Sequence, residues 1–301
     1  MIVVPILFIL LISVSSCLDL YNTVLYVNSN PNSLWTASLN HRFSHLSHFQ
    51  LTSFINTQTS HQQSTQPTIS HTPTSLPTSF DVREKWPGCP SYTIRDQGHC
   101  GSSWAFSVIQ VLSDRFCLNL SQNVILSPQY VISCDSLNKG CHSGSVTNSW
   151  DFVARHGVPL DSCVSYKSFD GSLSECPSVC DDGSRLKKYT ADNTYDVTQS
   201  EEGIMTEVER YGPVVATFDV YSDFLTYKSG IYHHQTGYLL GSTSVKVMGW
   251  GEDNGEKYWL VANSWGVHWG EEGFARIRKG INECGIEINV ITGQAGIIPW
   301  V

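Results

Sequence analysis

The cysteine content constrains the fold most, because the 301-residue chain carries ten cysteines. So many thiols are unusual in a cytosolic enzyme and indicate a disulfide framework formed in an oxidising compartment. No two of them form the CxxC pair of a zinc site, so we expect no metal and no other cofactor. We predict a protein that is secreted or resides in a lysosome- or vacuole-like endomembrane compartment.

Composition and charge favour a globular chain of one or two domains. Hydrophobic residues make up 41% of the chain and charged residues 15%, which suits a sizeable core. The net charge is −9 and the chain has no basic run, whereas phosphate contact needs clustered Lys and Arg. Nucleic acid is therefore not an expected partner.

The chain begins with an apolar stretch followed by small residues, Met1–Cys17 (MIVVPILFILLISVSSC). This pattern is typical of a secretory signal peptide, although no Lys or Arg precedes the apolar run. A membrane anchor is the alternative, but the run is shorter than the ~20 residues that a spanning helix needs. We predict a signal peptide over residues 1–17 and no membrane span in the mature chain.

Two changes in composition divide the rest of the chain into three parts. Residues 18–54 have a mixed composition and form a short leader. Residues 55–75 (INTQTSHQQSTQPTISHTPTS) are mostly Ser, Thr, Gln and Pro with almost nothing to bury, which predicts a flexible linker. Residues 76–301 have the composition of a globular domain.

Helical and strand-like patterns occupy different halves of this domain. Apolar residues at helical spacing predict a helix over Ser103–Leu118, and Ser145–His156 predicts a second helix that ends at Gly157. After Gly212, β-rich segments alternate with Gly and Asn turns. These segments are Val214–Val220, Val245–Trp250, Tyr258–Asn263 and Phe274–Arg278. The pattern predicts an α+β fold with an α-rich half, a β-rich half and a cleft between them.

A glycine-containing loop leads directly into the first helix over Asp96–Phe106 (DQGHCGSSWAF). A side chain at the start of that helix feels the positive end of the helix dipole and the free N–H groups, which would favour a thiolate. The residue at this place is Ser103. Serine is also a favoured N-cap, so helix capping is the alternative explanation.

The C-terminal half carries an unusual run of tryptophans and glycines, Tyr258–Gly266 (YWLVANSWG) and Trp269–Phe274 (WGEEGF). Together with Gly101–Trp104 (GSSW), this run resembles the papain family of cysteine peptidases. Further segments are similar to the cathepsin B-like branch of that family: Val27–Phe43, Leu76–Arg83 and Asn282–Glu287. The resemblance implies a short propeptide over residues 18–54 and a papain-like peptidase domain over residues 76–301.

The resemblance also implies roles for five residues. Gln97 matches the glutamine that stabilises the oxyanion, and Asn263 matches the asparagine that orients the catalytic histidine. Trp265 matches the tryptophan that shields that contact from water. Ser103 stands where the family has its nucleophilic cysteine. Thr243 stands where the family has its histidine, before the strand that ends in Gly-Trp-Gly.

Two of three catalytic positions thus lack their usual residue, and threonine cannot act as a base. We therefore predict a pseudoenzyme of the papain-like fold, without a role in proteolysis, that binds peptides, protease inhibitors or other proteins and is a monomer. One alternative is a residual hydrolase that uses Ser103 with a recruited histidine. The candidate bases are His99, His142, His233, His234 and His268. Another alternative is a structural secreted glycoprotein, with Asn119-Leu120-Ser121 as its glycosylation sequence.

Disulfides and a substrate groove are implied by the same resemblance. The implied pairs are Cys89–Cys117, Cys100–Cys141, Cys134–Cys176 and Cys163–Cys180, with Cys284 unpaired. Substrate-binding positions are Ser143 and Gly144, where Ser143 adds bulk in place of a glycine, together with Trp265. Asn289 stands at the floor of the second specificity pocket, where cathepsin B has a glutamate.

Overall fold

The computed structural model describes residues 19–58, 66–71 and 75–296. The expected signal peptide, residues 1–17, lies outside the described residues, as do residues 59–65, 72–74 and 297–301. Across the described ranges, no helix is both long enough and apolar enough to cross a membrane.

Seven α-helices occur in the part of the chain that the structure describes. They are α1 (19–29), α2 (His48–Phe54), α3 (Val82–Lys85), α4 (Ser103–Leu120), α5 (Pro128–Cys134), α6 (Val146–His156) and α7 (Glu201–Tyr211). Both helices predicted from the sequence, α4 and α6, are confirmed. Helix α6 starts after Ser145, whose side chain accepts a hydrogen bond from Asn148 N, and it ends at Gly157 with φ 66°.

Twelve strands are found in the same described ranges. They are β1 (Trp35–Ala37), β2 (Thr68–Ile69), β3 (Phe80–Asp81), β4 (Val158–Pro159), β5 (Lys188–Tyr189), β6 (Ala191–Val197), β7 (Val214–Tyr221), β8 (Tyr227–Tyr232), β9 (Leu239–Asp253), β10 (Glu256–Ala262), β11 (Phe274–Arg278) and β12 (Val290–Ala295). The four strands predicted from the sequence correspond to β7, β9, β10 and β11. The α-rich half followed by a β-rich half confirms the papain-like α+β fold.

Ten of these strands form one sheet. Its order is β1-β8-β11-β10-β9-β7-β12-β6-β2, and β3 pairs separately with β9. Strands β4 and β5 form a separate two-stranded antiparallel sheet. Neighbours in the large sheet are antiparallel except for β11 with β8 and β2 with β6.

The two outer strands of the large sheet come from the N-terminal part of the chain. Strand β1 of the leader pairs with β8, with Trp35 opposite Gly230. Strand β2 lies in the expected linker and pairs with β6, with Thr68 opposite Asp196. Both edges of the domain's own strands are therefore covered by residues that precede the domain.

Two buried cores correspond to the two halves. The helical core surrounds α4 and includes Trp104, Phe106 and Trp150. The sheet core contains most of the inward side chains of β7 to β11, and leader residues such as Phe43 and Phe54 belong to it. Helix α4 packs between the helical core and strands β9 and β12 of the sheet.

The four implied disulfides are confirmed, and Cys284 is unpaired. The pairs are Cys89–Cys117, Cys100–Cys141, Cys134–Cys176 and Cys163–Cys180. All eight cysteines lie between residues 89 and 180, in the half built from short helices and long loops. Each bridge stabilises such a loop-rich region by about 2–4 kcal/mol.

The expected linker differs from a flexible segment in two places. Residues 55–58 follow α2 into the cleft, and residues 66–71, the strap, pair with β6. In the strap, Pro67 O and Ile69 O accept hydrogen bonds from the backbone of β6 and the residue after it. Main-chain hydrogen bonds do not require apolar side chains, so a composition poor in apolar residues does not prevent this pairing. The boundaries of the signal peptide, leader, linker and domain stay predictions.

Candidate functional site

Helix α4 begins at the cleft, and Ser103 is its first residue. The N-cap position belongs to Ser102, whose side chain makes no capping hydrogen bond, so the capping explanation of Ser103 is wrong. Ser103 is 1% exposed. Its Oγ lies 2.7 Å from Thr57 Oγ1 and accepts a hydrogen bond from Ser244 N at 3.3 Å. The hydroxyl therefore bonds across the cleft rather than along the helix.

Strand β9 forms the opposite wall and carries Thr243. Thr243 is 1% exposed and stands opposite Phe218 of β7. The next residue, Ser244, contacts α4 twice, through its N–H to Ser103 and through its Oγ, which accepts from Ser107 Oγ at 3.2 Å. The structure thus brings the Ser103 and Thr243 positions to the same place in the cleft.

Gln97 is fully buried beside the start of α4. Its Oε1 accepts from Ser264 Oγ at 2.7 Å, and its Nε2 donates to Cys100 O at 2.8 Å and to Phe54 O at 3.4 Å. The Tyr166 hydroxyl donates to Gln97 O at 2.6 Å, and burial raises the pKa of Tyr166, which keeps it a neutral donor. The amide nitrogen of Gln97 is thereby fixed towards a carbonyl that lies in the cleft.

Asn263 follows β10 and is 1% exposed. Its Oδ1 accepts from Ser264 N at 2.8 Å, whereas its Nδ2 has no hydrogen-bond partner among the described residues. Trp265 packs edge to face on Trp269, with ring centroids 5.0 Å apart. Among the described residues, the neighbouring N–H of Ser264 is therefore the group that fixes the Asn263 side chain.

Gly144 lies on the second wall of the cleft. A larger residue at this position would collide with α4. A Cβ on Gly144 would lie 2.4 Å from ring atoms of Trp104. Gly144 O accepts from Gln58 N at 2.8 Å. The preceding Ser143 is buried, and its carbonyl accepts from Lys139 N at 2.9 Å. The bulk of Ser143 therefore does not stop an extended segment from pairing with the groove.

Asn289 lies on the side of the β7–β9 pair away from Ser103. It is half-buried, and its carbonyl accepts from Thr217 N at 3.0 Å. Thr217 stands opposite Ser244 in the pairing of β7 with β9. Asn289 is therefore separated from the Ser103 contact by the β7–β9 pair.

Residues 53–58, the cleft segment, occupy the cleft. Thr57 N donates to Ser242 O at 2.9 Å, and Gln58 N donates to Gly144 O at 2.8 Å. Thr57 and Gly144 form an isolated parallel bridge. The chain's own backbone thus runs between the wall of β9 and the wall of Gly144, directly above Ser103.

An aromatic cluster holds the start of the cleft segment. The ring centroid of Phe54 lies 5.5 Å from that of Trp265 and 5.6 Å from that of Phe43. Phe43 also contacts Trp265 edge to face at 5.2 Å. All three side chains are buried, so this cluster contributes apolar burial that the two main-chain hydrogen bonds of the cleft segment lack.

Arg42 of the leader joins this cluster to the loop of Gln97. Its guanidinium lies over the Phe54 ring at 5.0 Å, and its Nη1 is 2.6 Å from Asp96 Oδ1. It also donates to Trp265 O at 2.9 Å and to Gly98 O. One side chain therefore fixes the leader against both sides of the loop that carries Gln97.

The candidate histidine bases are not hydrogen-bonded to Ser103 within the described ranges. His142 contributes its carbonyl, which accepts from Asn56 Nδ2 at 2.7 Å. The ring of His234 lies 3.2 Å from Asp223. Among the described residues, the contacts of His142 and His234 are therefore with Asn56 and Asp223 rather than with the Ser103 hydroxyl.

Three other histidines lie away from the Ser103 hydroxyl. His99 and His268 line a cavity of about 490 Å³ between the leader and the domain, together with His41 of the leader. His233 has a buried Nδ1 that finds no partner in the described chain.

The free thiol of Cys284 lies in surroundings that disfavour its thiolate form. Burial raises the pKa of Cys284, and the neighbouring Glu283 raises it further, so the thiol stays protonated. No group of three or more His, Cys, Asp or Glu side chains within the described ranges could hold a metal ion.

A cleft between a helical half and a sheet half, with α4 starting at its floor beside Gln97 and Asn263, defines the class of papain-like proteins. The family model described as papain family cysteine protease matches residues 76–294. The chain therefore belongs to the papain family, and its relatives place it among the cathepsin B-like homologues.

Two relatives illustrate this similarity. Cathepsin B-like cysteine proteinase 3 of Caenorhabditis elegans is 40% identical over 249 residues, which are 74% of this chain and 67% of that protein. Cathepsin B-like CP3 of Giardia intestinalis is 38% identical over 269 residues, which are 87% of this chain and 90% of that protein.

A solved structure agrees with the fold over most of the chain. It is proCathepsin B S9 from Trypanosoma congolense, with a TM-score of 0.87 and 34% identity. The match covers 92% of this chain and 98% of that chain. The leader and the domain are therefore both similar to a cathepsin B precursor.

The sequence did not reveal the contacts that the leader makes in the cleft. Thr57 lies in a segment whose composition indicated a linker, and Arg42 carried no motif that named its partner. The helical spacing of Leu51, Phe54 and Ile55 was the signal that could have marked a buried helix before the linker.

Proposed function

We propose that this protein is a cathepsin B-like homologue without peptidase activity that acts by holding an extended peptide, an inhibitor loop or another protein in its cleft. The observation that carries the proposal is the environment of Ser103 Oγ, whose partners are Thr57 Oγ1 and Ser244 N. Neither group can take its proton. A serine nucleophile needs a base, and the side chain at the matching position is Thr243.

The amide of Asn263 supports the same proposal. In the papain family this asparagine orients the catalytic histidine, and here both positions lie in the sheet half, Thr243 on β9 and Asn263 directly after the neighbouring β10. Here Asn263 Nδ2 is buried and has no partner among the described residues. Thr243 has no ring N–H that the Asn263 side chain could accept, so Asn263 has no catalytic base to orient.

The cleft itself supports a binding role. Its walls present Ser242 O and Gly144 O to an extended backbone, and Gln97 Nε2 faces a carbonyl. These groups depend on the backbone of β9 and on the small size of Gly144, and they do not depend on the catalytic pair. Recognition of this kind uses main-chain hydrogen bonds for affinity and side-chain pockets for specificity.

Location is inferred from the disulfides. The four disulfides support passage through an oxidising compartment, consistent with secretion or a lysosome-like destination. A monomeric state is the prediction we retain for the chain.

A turnover assay with restored catalytic residues tests the proposal. We expect the wild-type protein and the single variants Ser103→Cys and Thr243→His to remain at background on fluorogenic dipeptide substrates of cathepsin B. Only the double variant should gain turnover, because losing either member of such a pair costs on the order of 10⁶ and the losses do not add. Each protein is assayed before and after limited pepsin digestion, so that a bound leader does not mask activity.

Labelling and folding measurements complete the test. The double variant should react with a thiol-directed epoxide inhibitor, whereas the wild-type protein should not, since its free Cys284 stays protonated. Circular dichroism shows whether each variant is folded. Wild-type turnover that Ser103→Ala abolishes would establish a serine hydrolase and overturn the proposal.

A further inference from the structure

A buried pair of hydroxyl groups links the first residue of α4 to the cleft segment. Thr57 is 4% exposed and Ser103 is 1% exposed, and their side-chain oxygens are 2.7 Å apart. This separation is the usual length of an O–H···O hydrogen bond. Ser244 N donates to the same Ser103 Oγ. The serine therefore accepts one hydrogen bond from Ser244 and forms a second with the Thr57 hydroxyl, in which either oxygen can be the donor.

Serine suits this contact better than the cysteine of an active relative would. A hydroxyl is a full donor with two acceptor lone pairs, whereas a thiol is a weak donor and a weak acceptor. A buried hydroxyl on Thr57 is costly unless it is hydrogen-bonded. The serine at position 103 meets that requirement, because its Oγ is the partner that the structure gives to Thr57.

We infer that Ser103 is a binding residue, and that its hydroxyl selects a Ser or Thr side chain in the extended segment that fills the cleft. Thr57 of the chain itself is the ligand in this structure. The inference rests on the proposed function, in which the Ser103 hydroxyl binds and does not react. A hydroxyl that is hydrogen-bonded to Thr57 and Ser244 is not available as a nucleophile.

The neighbouring contacts define the rest of the ligand class. Gln58 N pairs with Gly144 O, and Thr57 N pairs with Ser242 O, but these main-chain bonds accept almost any residue. Selectivity comes from side chains, namely the hydroxyl facing Ser103 and the aromatic ring of Phe54 against Trp265. The ligand is therefore a segment that pairs with the cleft walls at a Ser or Thr and carries an aromatic residue three positions earlier, where helix α2 ends in this chain.

Hydrogen exchange on the full-length chain tests the inference. The opening constant of the cleft is measured from the Thr57 and Gln58 amides, which close onto Ser242 and Gly144 in this structure. Thr57→Val removes the hydroxyl at nearly constant shape and should raise that constant about tenfold, since a buried hydroxyl loses its partner. Thr57→Ser keeps the hydroxyl and should stay within about threefold of wild type.

A matched control and a double variant separate the contact from general loosening. Thr52→Val makes the same chemical change on α2, where the Thr52 hydroxyl donates to Phe49 O within the leader, and should leave the opening constant unchanged. Ser103→Ala should raise it as Thr57→Val does. The double variant should open no more than either single variant, because two apolar groups then face each other.

The outcomes are distinguishable from those of the turnover assay. The role of the hydroxyl pair would be overturned if Thr57→Val left the opening constant unchanged. It would also be overturned if the effects of Thr57→Val and Ser103→Ala multiplied in the double variant. Neither result would bear on the absence of peptidase activity. Turnover by the wild-type protein would overturn the proposed function even if the exchange results were as expected.

Discussion

Gly144 lies where the cleft segment, the groove wall and α4 meet. Its carbonyl accepts from Gln58, and the space for a Cβ is already occupied by the ring of Trp104, whose atoms would be 2.4 Å away. Trp104 is fully buried in the helical core, so it cannot move without disturbing that core. A glycine is therefore required here for steric reasons, independent of any catalytic role.

We expect Gly144→Ala to destabilise the protein by about 1–3 kcal/mol, the usual cost of overpacking a buried site. Urea denaturation followed by tryptophan fluorescence gives the change in unfolding free energy. Gly88→Ala is the matched control, because nothing lies within 4 Å of a Cβ at that position. Equal stability of the two variants would show that the Gly144 contact is less tight than the structure indicates.

Motifs predicted most of this site at the level of single residues. Gln97, Ser103, Thr243 and Asn263 lie around one cleft, and the roles that the resemblance implies for them stay predictions. The sequence did not predict Thr57, because a threonine in a Ser- and Thr-rich segment is not distinguished from its neighbours. Its importance depends on where α2 ends, which depends on the tertiary contacts of Phe54 rather than on local composition.

The strap shows how an element of low apolar content can still be firmly held. Its main contact is between His71 Nε2 and Glu207 of α7, a carboxylate with no exposed surface. Glu207 also pairs with the buried Arg115 of α4 at 2.8 Å and accepts from the Tyr195 hydroxyl of β6 at 2.7 Å. The ring of His71 lies against Tyr211, with centroids 5.2 Å apart. Four elements therefore meet at one carboxylate.

The pKa of Glu207 predicts how this network responds to acid. Burial alone would raise that pKa, but the charge of Arg115 and hydrogen bonds from Tyr195, Arg115 and His71 outweigh burial and lower it. A lowered pKa means that the carboxylate stabilises the fold above its ordinary value of 4.5, and that this contribution is lost as pH falls through the folded value.

Accordingly, we expect Glu207→Gln to cost about 3 kcal/mol at pH 7, because it leaves Arg115 as a buried charge without its counter-ion. The difference from wild type should shrink as the pH is taken below 4.5. Unfolding free energies from urea titrations at several pH values measure this. Glu202→Gln, at an exposed position on the same helix, should have little effect at any pH. If the difference in unfolding free energy between Glu207→Gln and wild type stayed constant with pH, it would argue against an ionised Glu207–Arg115 pair.

The strap was not predictable from composition, for a physical reason. A two-residue strand is held by backbone groups that every residue carries, and its side-chain contact depends on a carboxylate more than a hundred residues later in the chain. Helices α4 and α6, by contrast, were predicted well because their signals are local: apolar spacing in α4, and the residues that start and end α6.

On the scale of the whole molecule, the leader and strap complete the large sheet. Strand β1 covers β8 at one edge, and β2 covers β6 at the other. The leader also buries the aromatic side chains of Phe43 and Phe54 against Trp265. Removing residues 18–75 would therefore expose two strand edges and an aromatic surface at once, which are features that promote association.

We therefore expect a chain that starts at residue 76 to self-associate, whereas the full chain stays monomeric over the same concentrations, as measured by sedimentation velocity. A second variant tests whether the leader must be covalently joined to the domain or must only cover the strand edges. It carries a protease site within residues 59–65, so that the chain can be cut while β1 and β2 keep their main-chain pairing. If coverage is the cause, the cut protein should remain monomeric and retain its leader, because the aromatic cluster and Arg42 still hold it. A monomeric leaderless chain would show that β6 and β8 are protected by their own side chains, and that the leader contributes to the cleft alone.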